Sequence, residues 1–95
     1  MNKKYFRIAD VMSTCNVTQK FVLALERENL IRAIIRRSKK VYPLDQVDRI
    51  RVARILIKEM GVNLEGVEVV LHMREQIINM RREFDVVLTR MQKRF

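Results

Sequence analysis

Ninety-five residues fit one domain with a modest core, so association with a second chain is a natural source of extra stability. Hydrophobic residues make up 48% of the chain and Gly plus Pro only three positions, which excludes a disordered chain and favours ordered helices. The net charge of +9 points to a polyanionic partner, and the lone Cys15 excludes an intrachain disulfide.

The charge is uneven. Residues 1–62 hold fourteen Lys and Arg against six acids, whereas residues 63–95 hold six against five. The run from Arg32 to Lys40 has five bases and no acid, the electrostatic footprint of a polyanion partner. Cys15 reads as a small buried residue rather than a redox or metal centre. No early apolar run resembles a signal peptide, and no segment is long and apolar enough to span a bilayer. A cytoplasmic protein with no membrane partner is expected.

In chain order, Ile8, Val11 and Met12 set a helical spacing from Phe6 to Cys15. Asn16-Val17-Thr18 interrupts it, and Thr18 is suited to cap a second helix. Phe21, Val22 and Leu25 form the apolar face of that helix, which runs to about Glu28. Asn29 follows where a left-handed residue often ends a helix. Two short helices joined by a tight turn are a helix-turn-helix unit.

Residues 31–42 change character. Ile31, Ala33, Ile34, Ile35, Val41 and Tyr42 flank a polar centre at Arg37-Ser38-Lys39, which predicts a short hairpin, or wing, ended by Pro43. Asp45 is then expected to cap a third helix from Gln46 to Met60. Its inner face is Val47, Ile50, either Val52 or Ala53, Leu56 and Ile57. Gly61 stops this helix, and Asn63 is placed to cap a last one that runs to the C-terminus.

The last helix has the cleanest pattern. Val70, Ile77, Phe84 and Met91 recur every seven residues. Met73, Met80 and Val87 do the same between them, and together they make a coiled-coil seam. Charged residues fill the outer positions. So small a body cannot shelter the whole seam, so a second copy or a partner helix is expected to cover it. Four of the six Met lie between residues 60 and 91, and Met makes such a seam adaptable. The expected organisation is a winged helix-turn-helix over residues 1–62 and a dimerisation helix over residues 63–95. The fold class is mainly α, with a short β-hairpin wing and a long C-terminal dimerisation helix.

With these elements placed, the chain resembles the MerR superfamily of winged helix-turn-helix proteins along nearly its whole length. Phe6-Arg7-Ile8-Ala9-Asp10 matches the opening pattern of that family. Glu26 to Ile31 matches the Glu-Arg-Glu-x-Leu-Ile exit of its second helix. Tyr42 and Asp45 match the tyrosine that closes the wing and the acid that leads the third helix. The phrase Gly61-Val62-Asn63-Leu64-Glu65-Gly66-Val67 is similar to the heat-shock repressor HspR branch. The layout is also similar to the chaperone modulator CbpM, a short relative that binds and inhibits a DnaJ-like co-chaperone through its J-domain.

The departures are specific. Leu23, Ala24 and Leu25 stand where family regulators carry Arg-Tyr-Tyr against the DNA backbone. Lys39-Lys40-Val41 stands where their wing carries Gly-Tyr-Arg, and Asn16 replaces the usual Gly of the turn.

The resemblance implies a homodimeric regulator of double-stranded DNA, acting in stress or chaperone gene control. Thr18, Gln19 and Lys20 would enter the major groove at the start of the reading helix. Arg36, Arg37, Lys39 and Lys40 would hold phosphates beside it, and Tyr42 closes the same interface. The dimer seam would be Val70, Met73, Ile77, Met80, Phe84, Val87 and Met91, paired antiparallel as in family relatives. The alternative is a CbpM-like modulator that binds a DnaJ-like co-chaperone. An enzyme is not expected. The chain has one His, no nucleophile–base constellation, no phosphate loop and no metal-ligand spacing, so no catalytic residue, cofactor or metal is assigned. His72 reads as a structural or seam-edge residue.

Overall fold

A computed structural model of the protein describes residues 3–94; residues 1–2 and 95, the outermost positions of the two expected units, lie outside it. The chain is mainly helical, with a small antiparallel sheet and a long last helix, the winged helix-turn-helix that the sequence implies. Strand β1 (Tyr5–Phe6) leads into helices α1 (Ile8–Cys15) and α2 (Gln19–Arg27). Strands β2 (Ile34–Arg36) and β3 (Lys39–Pro43) form the wing, and helices α3 (Leu44–Arg54) and α4 (Leu64–Arg94) follow. The sheet order is β1-β3-β2.

Local chemistry explains the element ends. The Asp10 carboxylate accepts from the Arg7 backbone N–H at 3.3 Å and from Lys3 Nζ at 2.7 Å, which secures the first turn of α1. Asn16 ends α1 in the left-handed region, with φ 56° and ψ 52°, and donates its N–H to the Met12 carbonyl. Asn tolerates that conformation better than most residues, which is how it replaces a turn glycine. Thr18 Oγ1 accepts from the Phe21 N–H at 3.1 Å and caps α2 as expected. Asn29 is left-handed too, at φ 60°.

Four boundaries differ from the sequence reading. Phe6 does not open α1; it lies in β1 opposite Tyr42, with its ring in the core. Ile31 does not begin the hairpin. It is buried at 4% exposure, and the strand starts at Ile34. Pro43 is the last residue of β3 rather than its terminator, opposite Tyr5, and Leu44 carries the pairing on by donating to the Lys4 carbonyl at 3.0 Å. Proline is tolerated at such a strand end. Asp45 does not cap α3. The helix begins at Leu44 after Pro43 with no side-chain cap, and Asp45 accepts instead from Gln46 Nε2 at 3.2 Å.

Along α3, Val47, Ile50 and Ala53 face inward and Val52 is half-buried, so Ala53 takes the inner position. Residues Ile55–Glu59 continue as a wider π-helical turn in which Met60 donates to the Ile55 carbonyl at 3.1 Å. This turn keeps Leu56 in the core and leaves Ile55 exposed. Gln46 is buried as well, and its Oε1 accepts from the Arg32 N–H at 2.9 Å.

Asn63 Oδ1 accepts from the Gly66 N–H at 2.8 Å and starts α4. A Cβ at Gly66 would come within 2.6 Å of Val62 Cγ1, so a larger residue there would have to push the Val62 side chain aside. Gly61 has φ 69° and turns the chain out of the π segment. The 31 residues of α4 extend about 46 Å at 1.5 Å per residue. Only the start of this helix is core: Val67 and Leu71 are fully buried.

Leu71 should therefore matter to the whole fold. Leu71→Ala should lower unfolding stability by about 2–5 kcal/mol in urea denaturation. A loss below about 0.5 kcal/mol would mean that α4 is a detached arm.

Candidate nucleic-acid interface

The outer face of α2 is built by its helical register. Gln19, Lys20, Leu23 and Arg27 line one shallow groove, while Val22 and Leu25 are buried behind them. Gln19 and Lys20 are exposed, and so is Leu23 at 38%. Thr18 lies just before them, with one lone pair of its hydroxyl used by the cap. Ala24 is half-buried, so Leu23 is the apolar residue that this face presents.

The wing is a two-residue hairpin. Ile34 pairs with Val41, Ile35 with Lys40 and Arg36 with Lys39. Arg37 and Ser38 form the turn, both left-handed, at φ 52° and 63°. Positive φ at both central residues matches the turn to the twist of the strands. The Ile34–Val41 pair faces the body, where Val41 is buried. Ile35 points the other way and is 73% exposed.

The four wing bases are not equivalent. The Arg36 guanidinium lies 4.1 Å above the Tyr5 ring, a cation–π contact that braces it against β1. Lys40 Nζ pairs with Glu26 Oε2 at 2.9 Å. Arg37 and Lys39 have no carboxylate partner among the described residues; Arg37 stands in the turn and Lys39 just after it. Their charge is open to solvent.

Tyr42, assigned from sequence to the same interface, is not on the surface. It is fully buried in the core, and its hydroxyl donates to Glu26 Oε1 at 2.8 Å. Burial raises the Tyr42 hydroxyl far above the ordinary tyrosine range, and the Glu26 charge raises it further. For Glu26, burial alone would raise the carboxyl. Hydrogen bonds from Lys40 and Tyr42, with the charge of Lys40, outweigh it and hold the group below its ordinary value. Glu26 was visible only as part of a motif, with no role attached. Its work is to join β3 to the last turn of α2, one residue from Arg27.

The seam residues of α4 lie away from this region. Val70 is half-buried against the core, and Met73, Ile77, Met80, Phe84, Val87 and Met91 are each 51–66% exposed. His72 is exposed. Cys15 is buried, and burial raises its thiol pKa, which disfavours the reactive thiolate. Among the described residues, no group of three or more His, Cys, Asp or Glu is placed to hold a metal, and no helix is long and apolar enough to cross a membrane.

A family model described as MerR HTH family regulatory protein matches residues 6–87, from β1 through most of α4. No curated protein matches the chain.

The Tyr42–Glu26 bond generates a stability prediction. Tyr42→Phe keeps the ring and removes the donor, and should cost about 1 kcal/mol near neutral pH. Because the Glu26 carboxyl is lowered in the fold, its stabilisation is complete above the unfolded pKa and fades as pH falls through the folded one. The variant should therefore lose less stability on acidification than the parent. Parallel urea titrations at pH 7 and pH 3 check both points.

Proposed function

Because the chain belongs to the MerR HTH family of regulatory proteins, we propose that it is a transcriptional regulator that binds double-stranded DNA as a homodimer, in stress or chaperone gene control. The observation that carries the reading is the wing tip: Arg37 and Lys39 stand exposed and unpaired by carboxylates among the described residues, on a hairpin tied through Lys40 and Glu26 to α2. Thr18, Gln19 and Lys20 open the helix that reads the major groove. Arg36, Arg37, Lys39 and, more weakly, Lys40 hold phosphates beside it. Tyr42 serves the interface from within, by fixing Glu26 and hence Lys40.

A dimer suits the long exposed seam, which one body cannot cover. Charge sets its direction. Residues 64–79 carry three acids and one base, for −2, and residues 80–93 four bases and two acids, for +2. Antiparallel pairing lays each acidic half against the partner's basic half; parallel pairing opposes like charges. The stress assignment rests on the resemblance of Gly61 to Val67 to the HspR branch.

A second reading is a CbpM-like modulator that binds the J-domain of a DnaJ-like co-chaperone. It is favoured by Leu23 and Ile35, exposed apolar side chains on the two surfaces that DNA would use.

Three variants separate these readings. Ile77→Asp with Phe84→Asp would bury charge in the seam and should give monomers in light scattering; a monomeric parent at micromolar concentration would refute the dimer. Arg37→Ala with Lys39→Ala should weaken binding to all DNA sequences about equally. It should also flatten the slope of log affinity against log salt by about two to four units for a dimer. Unchanged DNA affinity in that double variant would demote the wing to a solvated surface. Leu23→Arg should tighten DNA binding; if DNA affinity stays constant while a J-domain partner is lost, the modulator reading prevails.

A further inference from the structure

A groove of about 380 Å³ runs between α4 and the body, on a face to which no seam residue contributes. Its inner wall includes Leu30 and Ile31, both buried, and the half-buried Ile78 of α4. Four guanidinium groups surround that apolar surface: Arg32 after α2, Arg49 on α3, and Arg74 and Arg82 two turns apart on α4. Only two carboxylates answer them, Asp45 and Glu75.

Arg49 is already positioned. Its Nε donates to the Leu30 carbonyl at 2.9 Å, and its side chain is only 21% exposed. Its remaining charge meets Glu75 at 3.6 Å, a long contact to a carboxylate that is 64% exposed and free to swing out. The fold has no evident use for this surplus of positive charge in one concavity, where like charges repel. A pocket of this size that combines an apolar wall with converging polar groups has the form of a small-ligand site.

We propose that this groove binds a small organic polyanion with two or more carboxylate or phosphate groups. Planar guanidinium forks bind both groups through paired hydrogen bonds, and Arg49 presents one in a fixed orientation. Arg74 and Arg82 would clamp the ligand from α4, and Arg32 from the segment that leads into the wing. Occupancy would tie that segment to the long helix and displace Glu75 from Arg49. The ligand would thereby regulate how wing and helix sit together. This site is independent of the DNA reading, since it uses neither the outer face of α2 nor the wing tip.

The test is calorimetric titration of the full chain with citrate and, separately, pyrophosphate, at constant ionic strength held by chloride. Saturable binding of one or both is expected, and the stronger probe identifies carboxylate or phosphate chemistry. Arg74→Gln and Arg82→Gln should each weaken it about tenfold, the effect of losing one charge-assisted contact. Arg90→Gln, on α4 outside the groove, should leave it unchanged. Glu75→Gln removes the competing carboxylate without removing a base, and should tighten binding several-fold. Absence of saturable binding to either probe would overturn the proposal. So would equal losses in the Arg74, Arg82 and Arg90 variants, or a Glu75→Gln chain that binds no better than the parent.

Discussion

Tyr42 is the point at which the separate parts of this molecule become one structure. Its ring is fully buried, its backbone neighbours Phe6 across the sheet, and its hydroxyl donates to Glu26 at 2.8 Å. A phenol in a core requires a partner for that hydroxyl, and Glu26 is the partner. Glu26 in turn draws Lys40 to 2.9 Å. One aromatic side chain thus fixes β1, β3 and the last turn of α2, and sets the wing relative to the helix beside it. The ordering of two exposed elements therefore depends on a residue that solvent never reaches.

Much of the local structure was legible because single residues carried it. Thr18, Asn29 and Asn63 mark helix ends through side-chain oxygens or tolerance of positive φ, chemistry that depends little on tertiary contacts. The hairpin was legible from apolar residues flanking a polar centre. What escaped depended on partners distant in sequence. Tyr5–Phe6 is too short for any periodicity, and is a strand only because β3 lies beside it. The π turn at Ile55–Glu59 shifts the helix phase in a way that no apolar spacing records. Tyr42 was assigned to the interface as the tyrosine that closes the wing, because the sequence does not show that Glu26, sixteen residues upstream, takes its hydroxyl inside.

The long helix resolves a conflict between core and surface. Val67 and Leu71 join the core, and their buried area ties α4 to the body. Beyond them the helix outruns any surface that could cover it, yet Met80, Phe84 and Met91 keep their spacing and stay more than half exposed. Apolar surface repeated in register over several turns is what the proposed dimer would cover. Opposite charge on its two halves favours a second copy running the other way. Two wings would then be presented by one symmetric body, each with a tip whose charge is uncompensated. Leu23 on the outer face of α2 departs from that scheme, since an apolar side chain there adds nothing to phosphate contact.

The central claim is that two copies act together on DNA through paired basic wings. Sedimentation of the unmodified protein with a duplex several helical turns long, repeated across a salt series, tests it directly. The account predicts two chains per bound site, with log affinity falling steeply and linearly against log salt, by about four units or more if the two unpaired tip bases of each wing meet phosphates. One chain per site, or binding that does not respond to salt, would contradict it.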